Sequence, residues 1–199
     1  MYRILTFIII VLLLHSCTSP EKLIKEELYD PAINHLVKDL KKDTENEKNI
    51  SLLNTAYSIA NKRDLDSIFK LRRSGKPDIW YDVYRIYNRL KDRQEIVGSL
   101  PPQILTEINY KKASFEKDIE QSRINAITFF YAHAKTLLNE GSRKNARIAY
   151  NELYKISEIS KGYKDTESLM RYALLKGTSY VLLKVENKTG YPIPPSIVQ

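Results

Sequence analysis

Apolar residues recur three and four positions apart from Ile50 to Leu174, which is the spacing of one face of an α-helix rather than that of a strand. Glycine, proline or serine interrupts this pattern at 74–77, 98–102 and 141–142, so we expect several helices joined by short turns. Ser142 and Asp165 are predicted to cap the last two of these helices. With 43% hydrophobic residues, 6 Gly and 8 Pro, the composition excludes a disordered or low-complexity chain. The sequence therefore predicts a mainly α fold made of antiparallel helix hairpins.

Residues 17–48 are predicted to form a tether and a first helix, which precede a helical body at 49–177. Ser19 and Pro20 have the pattern of a helix N-terminus, and Asp30 and Pro31 repeat it before a second apolar stripe. The polar stretch 41–48 then predicts a loop, which we place at the boundary between tether and body.

One segment of the body has a repeat-like spacing of aromatic, small and aliphatic residues. It resembles a single tetratricopeptide repeat, with Gly141 at the turn and Ala134 and Ala146 where two helices of such a repeat touch. The matching residues are Phe130, Ala134, Leu137, Gly141, Ala146, Tyr150 and Leu153. The resemblance implies stacked antiparallel helices, while an irregular helical bundle remains the alternative.

The match to that family is incomplete. Glu158 stands where the repeat usually closes with a proline, and His133 stands where it usually has a leucine. A half repeat is visible at Trp80, Val83 and Tyr87, but its separation from Phe130 is not a multiple of the repeat length of about 34 residues. The resemblance therefore covers one repeat and leaves most of the chain unassigned.

The N-terminal segment has the pattern of an export signal. Arg3 precedes an apolar run from Ile4 to Leu14, which is too short to span a membrane but has the length of a signal-peptide core. The four residues that follow, Leu14, His15, Ser16 and Cys17, resemble the lipobox of bacterial lipoproteins.

That resemblance implies cleavage after residue 16 and acylation of Cys17 with palmitate-type chains, which would hold the protein on a membrane without spanning it. Thr18, in place of an aspartate, favours the outer membrane of the bacterial cell envelope. The alternatives are an ordinary secretory signal with a chance cysteine, or an uncleaved anchor.

The period changes after Gly177. Thr178–Glu186 is rich in β-branched and aromatic residues and predicts one β-strand, followed by a proline-rich tail, so that 178–199 forms a C-terminal segment. A lone strand needs a partner. It could pack on the helices, add to another protein's sheet, or begin a β domain of a longer protein.

No motif for catalysis occurs in the sequence, which predicts neither an enzyme nor a cofactor. The single cysteine excludes an intramolecular disulfide, and with only 3 His we expect no metal site. His35 and His133 are interpreted as packed or surface residues. The net charge of +8 is typical of nucleic-acid binding, but export makes that partner improbable, so we expect none.

Tyrosine, tryptophan and arginine provide the predicted binding residues, because such side chains are favoured at protein interfaces. They are Trp80, Tyr84, Tyr87, Tyr150, Tyr154, Arg143 and Arg147. We expect a membrane-anchored lipoprotein that holds an envelope protein in a groove lined by these residues. The alternative is an accessory ligand- or glycan-binding lipoprotein that uses the C-terminal β segment.

Overall fold

The computed structural model describes residues 19–182 and Tyr191. These residues are mainly helical and form packed helix pairs, which confirms the mainly α part of the predicted fold. A 3-10 turn, Pro77–Ile79, directly precedes the helix that begins at Trp80. The α-helices of the described part are α1 Pro20–Lys25, α2 Tyr29–Leu40, α3 Glu47–Arg73, α4 Trp80–Gly98, α5 Pro102–Glu107, α6 Glu116–Glu140, α7 Arg143–Ile159 and α8 Thr166–Gly177.

The chain forms two compact units, and the division falls between Phe130 and Tyr131. Unit 1 contains α1 to α5 and the first part of α6, and unit 2 contains the rest of α6 with α7 and α8. Among the described residues, no helix is long and apolar enough to cross a membrane. The predicted lipobox, residues 14–17, lies outside the described residues.

The main core of unit 1 is formed by α2, α3, the end of α4, and α5. Helix α2 buries one complete face, because its apolar residues are three and four apart. It was assigned to the tether from sequence, but it shares one core with the helical body. The buried cluster comprises Ile33, Leu36, Val37, Leu40, Ile50, Leu53, Ala56, Ala60, Val97, Leu100, Ile104 and Ile108.

A charged network lies between α2, α3 and α4. Arg93 is only 4% exposed, and its guanidinium donates to Asp30 Oδ1 at 2.6 Å, Asp64 Oδ2 at 2.8 Å and Asn61 Oδ1 at 2.8 Å. Asp64 is 7% exposed and also accepts from both Nε and a terminal nitrogen of Arg89. Each buried charge is therefore paired, as burial in a helical core requires.

Unit 2 is built on close approach of α7 and α8. Small residues meet at this contact: Ala146, Ala149 and Ala173 are buried, and Gly177 lies against Arg147. Before α7, Gly141 has φ +76°, a left-handed conformation that glycine adopts without strain. The Ser142 hydroxyl then accepts from the Asn145 amide at 3.0 Å and caps the helix, as predicted.

The predicted C-terminal strand has no support in the part that the structure describes. Residues 178–182 form neither helix nor strand, and the side chains of Tyr180, Val181 and Leu182 are exposed. A strand needs a ladder of backbone hydrogen bonds to a neighbour, and none is formed by these five residues. Residues 183–186 of the predicted strand lie outside the described residues.

Candidate functional site

The aromatic residues predicted to bind a partner on α4 have different environments. Tyr87 is 7% exposed and packs on Phe115, with ring centroids 6.1 Å apart, so it contributes to a core cluster rather than to a surface. Burial raises the pKa of the Tyr87 hydroxyl. Trp80 and Tyr84 are half-buried, and the Arg72 guanidinium lies 5.9 Å from the Trp80 ring centroid.

The predicted residues on α7 belong to unit 2, where Arg143 and Tyr154 are exposed and Tyr150 is half-buried. Tyr150 and Tyr154 are one turn apart and Arg147 is three residues before Tyr150, so these three side chains share one side of the helix. The two sets of predicted residues, on α4 and on α7, therefore belong to separate compact units and are described separately.

A groove runs between α7 and α8, and Tyr150 lies at its centre. It consists of two adjoining cavities of about 320 Å³ and about 220 Å³ that share Tyr150 and Leu174. Leu174 is 56% exposed, although it is a large apolar side chain on a packed helix. The groove also has Arg147, Asn151, Glu167, Met170 and Arg171 along its walls.

Arg147 closes one end of this groove and holds the two helices together. Its Nε donates to the Gly177 carbonyl at 2.8 Å, and its terminal nitrogen donates to Ser179 Oγ at 3.1 Å. A cation at this point also complements the negative end of the α8 dipole. A Cβ on Gly177 would lie 3.0 Å from Arg147 Cγ, so the glycine permits this close approach.

Tyr131 of α6 contacts the turn between α7 and α8. Its hydroxyl donates to Asp165 Oδ1 at 2.5 Å, and its ring meets the Tyr163 ring edge to face at 5.5 Å. The hydrogen bond raises the pKa of Tyr131 and lowers the pKa of Asp165. Asp165 was predicted to cap α8, but its carboxylate makes this contact and no side-chain cap bond.

Sequence reasoning missed the α8 wall of the groove, including Leu174, Met170 and Arg171. A signal was present, because Leu174 and Leu175 are adjacent, and two successive helix positions differ by about 100° around the axis. When Ala173 faces the core, both leucines face away from it, and Leu174 and Leu175 are indeed exposed.

A larger cavity of about 690 Å³ lies in unit 1 between α3 and α4 and contains none of the predicted binding residues. Its rim carries Lys70, Lys76 and Arg85 together with Asp78 and Asp82, and its floor is aliphatic. The mixture of signs gives it no clear preference for an anion or a cation. Therefore the α7–α8 groove, with its exposed apolar floor, is the stronger candidate site.

The two histidines that the structure describes have different environments. His35 is exposed on α2, and His133 Nδ1 lies 2.8 Å from Glu152 Oε1 within unit 2. In the described part of the chain, no group of three or more His, Cys, Asp or Glu is placed to hold a metal ion. Comparison with protein-family models, curated proteins and solved structures finds no match to this chain.

Proposed function

We propose that this protein is a bacterial lipoprotein, acylated at Cys17 and anchored in the outer membrane, whose helical body binds a protein of the cell envelope. The proposal for the anchor is supported by the lipobox-like residues 14–17 and by the position of the only cysteine of the chain. The proposal for the body is supported by the groove between α7 and α8.

The exposed floor of this groove is the observation that carries the binding function. Leu174 and the half-buried Tyr150 present apolar surface to solvent between two helices that are otherwise closely packed. Tyrosine beside an aliphatic side chain combines a large apolar area with a polar end, which suits a protein interface. An apolar side chain of a partner would remove this surface from water.

The charges around the groove indicate the chemistry of the partner. Arg147 and Arg171 face the groove, with Glu167 the acidic residue of its lining. The exposed Arg143 and Lys144 lie one turn before Arg147 on α7. We therefore expect a protein segment in which an apolar anchor is flanked by aspartate or glutamate, because opposite charges at the rim steer association.

A repeat-like architecture is part of this proposal. Ala134, Ala146 and Leu153, three residues of the tetratricopeptide-like spacing, are all buried, and Gly141 occupies the turn with positive φ. Small residues at these points let neighbouring helices approach closely, as stacked helix hairpins require. Residues 178–182, the part of the predicted β segment that the structure describes, form no strand and so give no support to the alternative of a glycan-binding site there.

Capture from detergent-solubilised envelope tests the binding function. The full chain is expected to retain one protein in stoichiometric amount, and Leu174→Asp is expected to release it by placing a carboxylate on the apolar floor. Leu175→Asp is the matched control, because Leu175 is a similarly exposed leucine of α8 that lines neither cavity of the groove. Equal capture by both variants would contradict the assignment to this groove, and retention on glycan without any protein would support the alternative.

Metabolic labelling tests the anchor separately. Cys17→Ser is expected to leave the precursor uncleaved and to abolish labelling with palmitate, because the acylated sulfur is lost. Ser16→Ala is the control, since a small residue before the cysteine is retained. Persistent labelling of the Cys17 variant would show that the lipobox interpretation is wrong.

A further inference from the structure

The second half of α3 exposes large apolar side chains on its outer side. Phe69 is 61% exposed and Leu65 is 49% exposed, and both lie away from the buried face that carries Ile68. The two residues are one turn apart, so they form one apolar strip on the helix surface. We call Leu65, Phe69, Lys70 and Arg73, together with Lys76 in the turn that follows the helix, the outer face of α3.

Cations on this outer face lack carboxylate partners. Lys70, Arg73 and Lys76 form no ion pair within residues 19–182, and the Arg73 guanidinium lies 5.5 Å from the Phe69 ring centroid. Of the neighbouring charges, Lys62 is paired with Asp66 at 3.2 Å and Arg72 with Asp118 at 3.4 Å. These three cations therefore have no ion-pair partner in the described residues, although Asp78 and Asp82 line the cavity that Lys70 and Lys76 also line.

The helix dipole explains only half of this arrangement. Cations in the last turn of α3 complement the negative end of the helix, and this accounts for Lys70 and Arg73. It does not account for a phenylalanine and a leucine that are exposed among them. Apolar side chains flanked by lysine and arginine on one helical face are typical of binding to a membrane surface.

The start of the described chain lies beside the same side of α3. Glu21, in the first turn of α1, contacts Lys48 Nζ at 2.6 Å. Lys48, Thr55, Lys62 and Phe69 are seven residues apart along α3, so they share one side of a helix about 40 Å long. A flat surface that meets α3 beside Lys48 and runs along the helix axis therefore also meets Phe69.

We propose that the outer face of α3 docks on the surface of a bilayer that contains anionic phospholipids. Phe69 and Leu65 enter the boundary between headgroups and acyl chains, and Lys70, Arg73 and Lys76 contact lipid phosphates. The positive charge of this face favours docking on anionic lipid whether or not the chain is anchored. The proposed lipidation favours the same orientation of α3 on the membrane, since Cys17 lies three residues before α1, a reach of about 10 Å at most.

The single tryptophan of the chain makes this face directly measurable. The double variant Phe69→Trp, Trp80→Phe carries its sole tryptophan on the outer face, and Ile96→Trp, Trp80→Phe carries it at an exposed position of α4 as a matched control. Each full chain is reconstituted in phosphatidylcholine vesicles with or without phosphatidylglycerol, and quenching by brominated lipid is recorded.

We expect the Phe69 reporter to be quenched and shifted to the blue in vesicles with phosphatidylglycerol, and the Ile96 reporter to remain unquenched. Arg73→Gln or Lys76→Gln in the reporter chain is expected to lower the ratio of docked to undocked protein about fivefold each. The inference would be overturned if the Phe69 reporter were not quenched, or if neither charge substitution changed its quenching.

The outcome is separable from that of the proposed function. If the unsubstituted chain takes up no palmitate but the Phe69 reporter is quenched, the proposed anchor is wrong and the docking face stands. If the unsubstituted chain is labelled but the Phe69 reporter is not quenched, the anchor stands and the docking face is wrong. Loss of partner capture on Phe69→Asp would assign the face to a protein, which also overturns the inference.

Discussion

Units 1 and 2 bring their helices together by different physical means. Unit 1 separates α2, α3 and α4 by large aliphatic side chains and then joins them through buried charges centred on Arg93. Unit 2 lets α7 and α8 approach at Ala146, Ala149 and Gly177 and joins them through Arg147 at the rim. The comparison shows that the same residue type, arginine, has an internal structural role in one unit and a peripheral one in the other.

The difference has an energetic consequence. A buried charge that loses its partner keeps its desolvation cost, so removal of one member of such a network is strongly destabilising. An arginine at the rim can be replaced by water as a donor, so its removal costs about as much as an ordinary hydrogen bond. A contact between helices that is made by small residues is destabilised in another way, because it has no room for added volume.

The largest effect is expected for Arg93→Met. It leaves Asp30 without its strongest partner and Asp64 with Arg89 alone, so we expect the free energy of unfolding to fall by about 3 kcal/mol. Urea titration followed by Trp80 fluorescence measures this. Arg85→Met, an exposed arginine of the same helix, should change it by about 0.5 kcal/mol or less. Equal effects of the two variants would refute the structural role of the network.

Next in size is Ala146→Leu. Ala146 is buried at the helix contact of unit 2, and three added carbon atoms should cost about 1 to 3 kcal/mol of stability through overpacking. Ala132→Leu is the control, because Ala132 lies exposed on α6. An unchanged melting temperature for Ala146→Leu in circular dichroism would show that the helices do not touch there.

A smaller effect is expected for Arg147→Met. This change keeps the aliphatic stem and removes the bonds to the Gly177 carbonyl and to Ser179, so stability should fall by about 1 kcal/mol. Amide exchange near the end of α8 should accelerate at the same time. Arg143→Met, at the first position of α7, should leave both quantities unchanged, and a similar loss there would point to a general effect of charge.

The free energy of unfolding should change little with pH near neutrality and should fall in the acid range. Burial raises the pKa of Asp64, but bonds from Arg89 and Arg93 outweigh it, so the pKa is lowered overall. A lowered folded pKa means that the stabilisation is complete above the unfolded value, about 3.9, and is lost as the pH falls below it. Asp64→Asn should remove this part of the pH dependence in urea titrations between neutral and acid pH.

Helix positions and caps followed well from local chemistry. Ser19 accepts from the Lys22 amide at 3.3 Å, Ser142 caps α7, and Gly141 occupies the turn before it, all as expected from residue type. The apolar residues between Ile50 and Phe69 fall into two stripes in the sequence, but α3 is one helix of 27 residues. Nothing between the stripes breaks a helix, and the second stripe includes Leu65 and Phe69, which are exposed.

The remaining features depend on contacts between distant residues. Asp30 and Arg93 are far apart in sequence, and the pattern of α4 alone does not reveal that Arg93 faces inwards. Tyr87 was predicted to bind a partner from its residue type, yet its position on the buried side of α4 places it in a core cluster. Tyr150 and Arg147 were also predicted from residue type and line the α7–α8 groove, whereas Leu174 required knowledge of which face of α8 is packed.

The hydrogen bonds of Arg147 show which residues after α8 contribute to the packing of unit 2. They reach the Gly177 carbonyl and the Ser179 hydroxyl, and the next residue, Tyr180, is exposed outside any helix. Exposed irregular segments with accessible side chains are preferred sites of proteolysis. Chymotrypsin is therefore expected to cleave after Tyr180, one residue beyond the last bond, and to release the remaining tail while α7 and α8 stay paired.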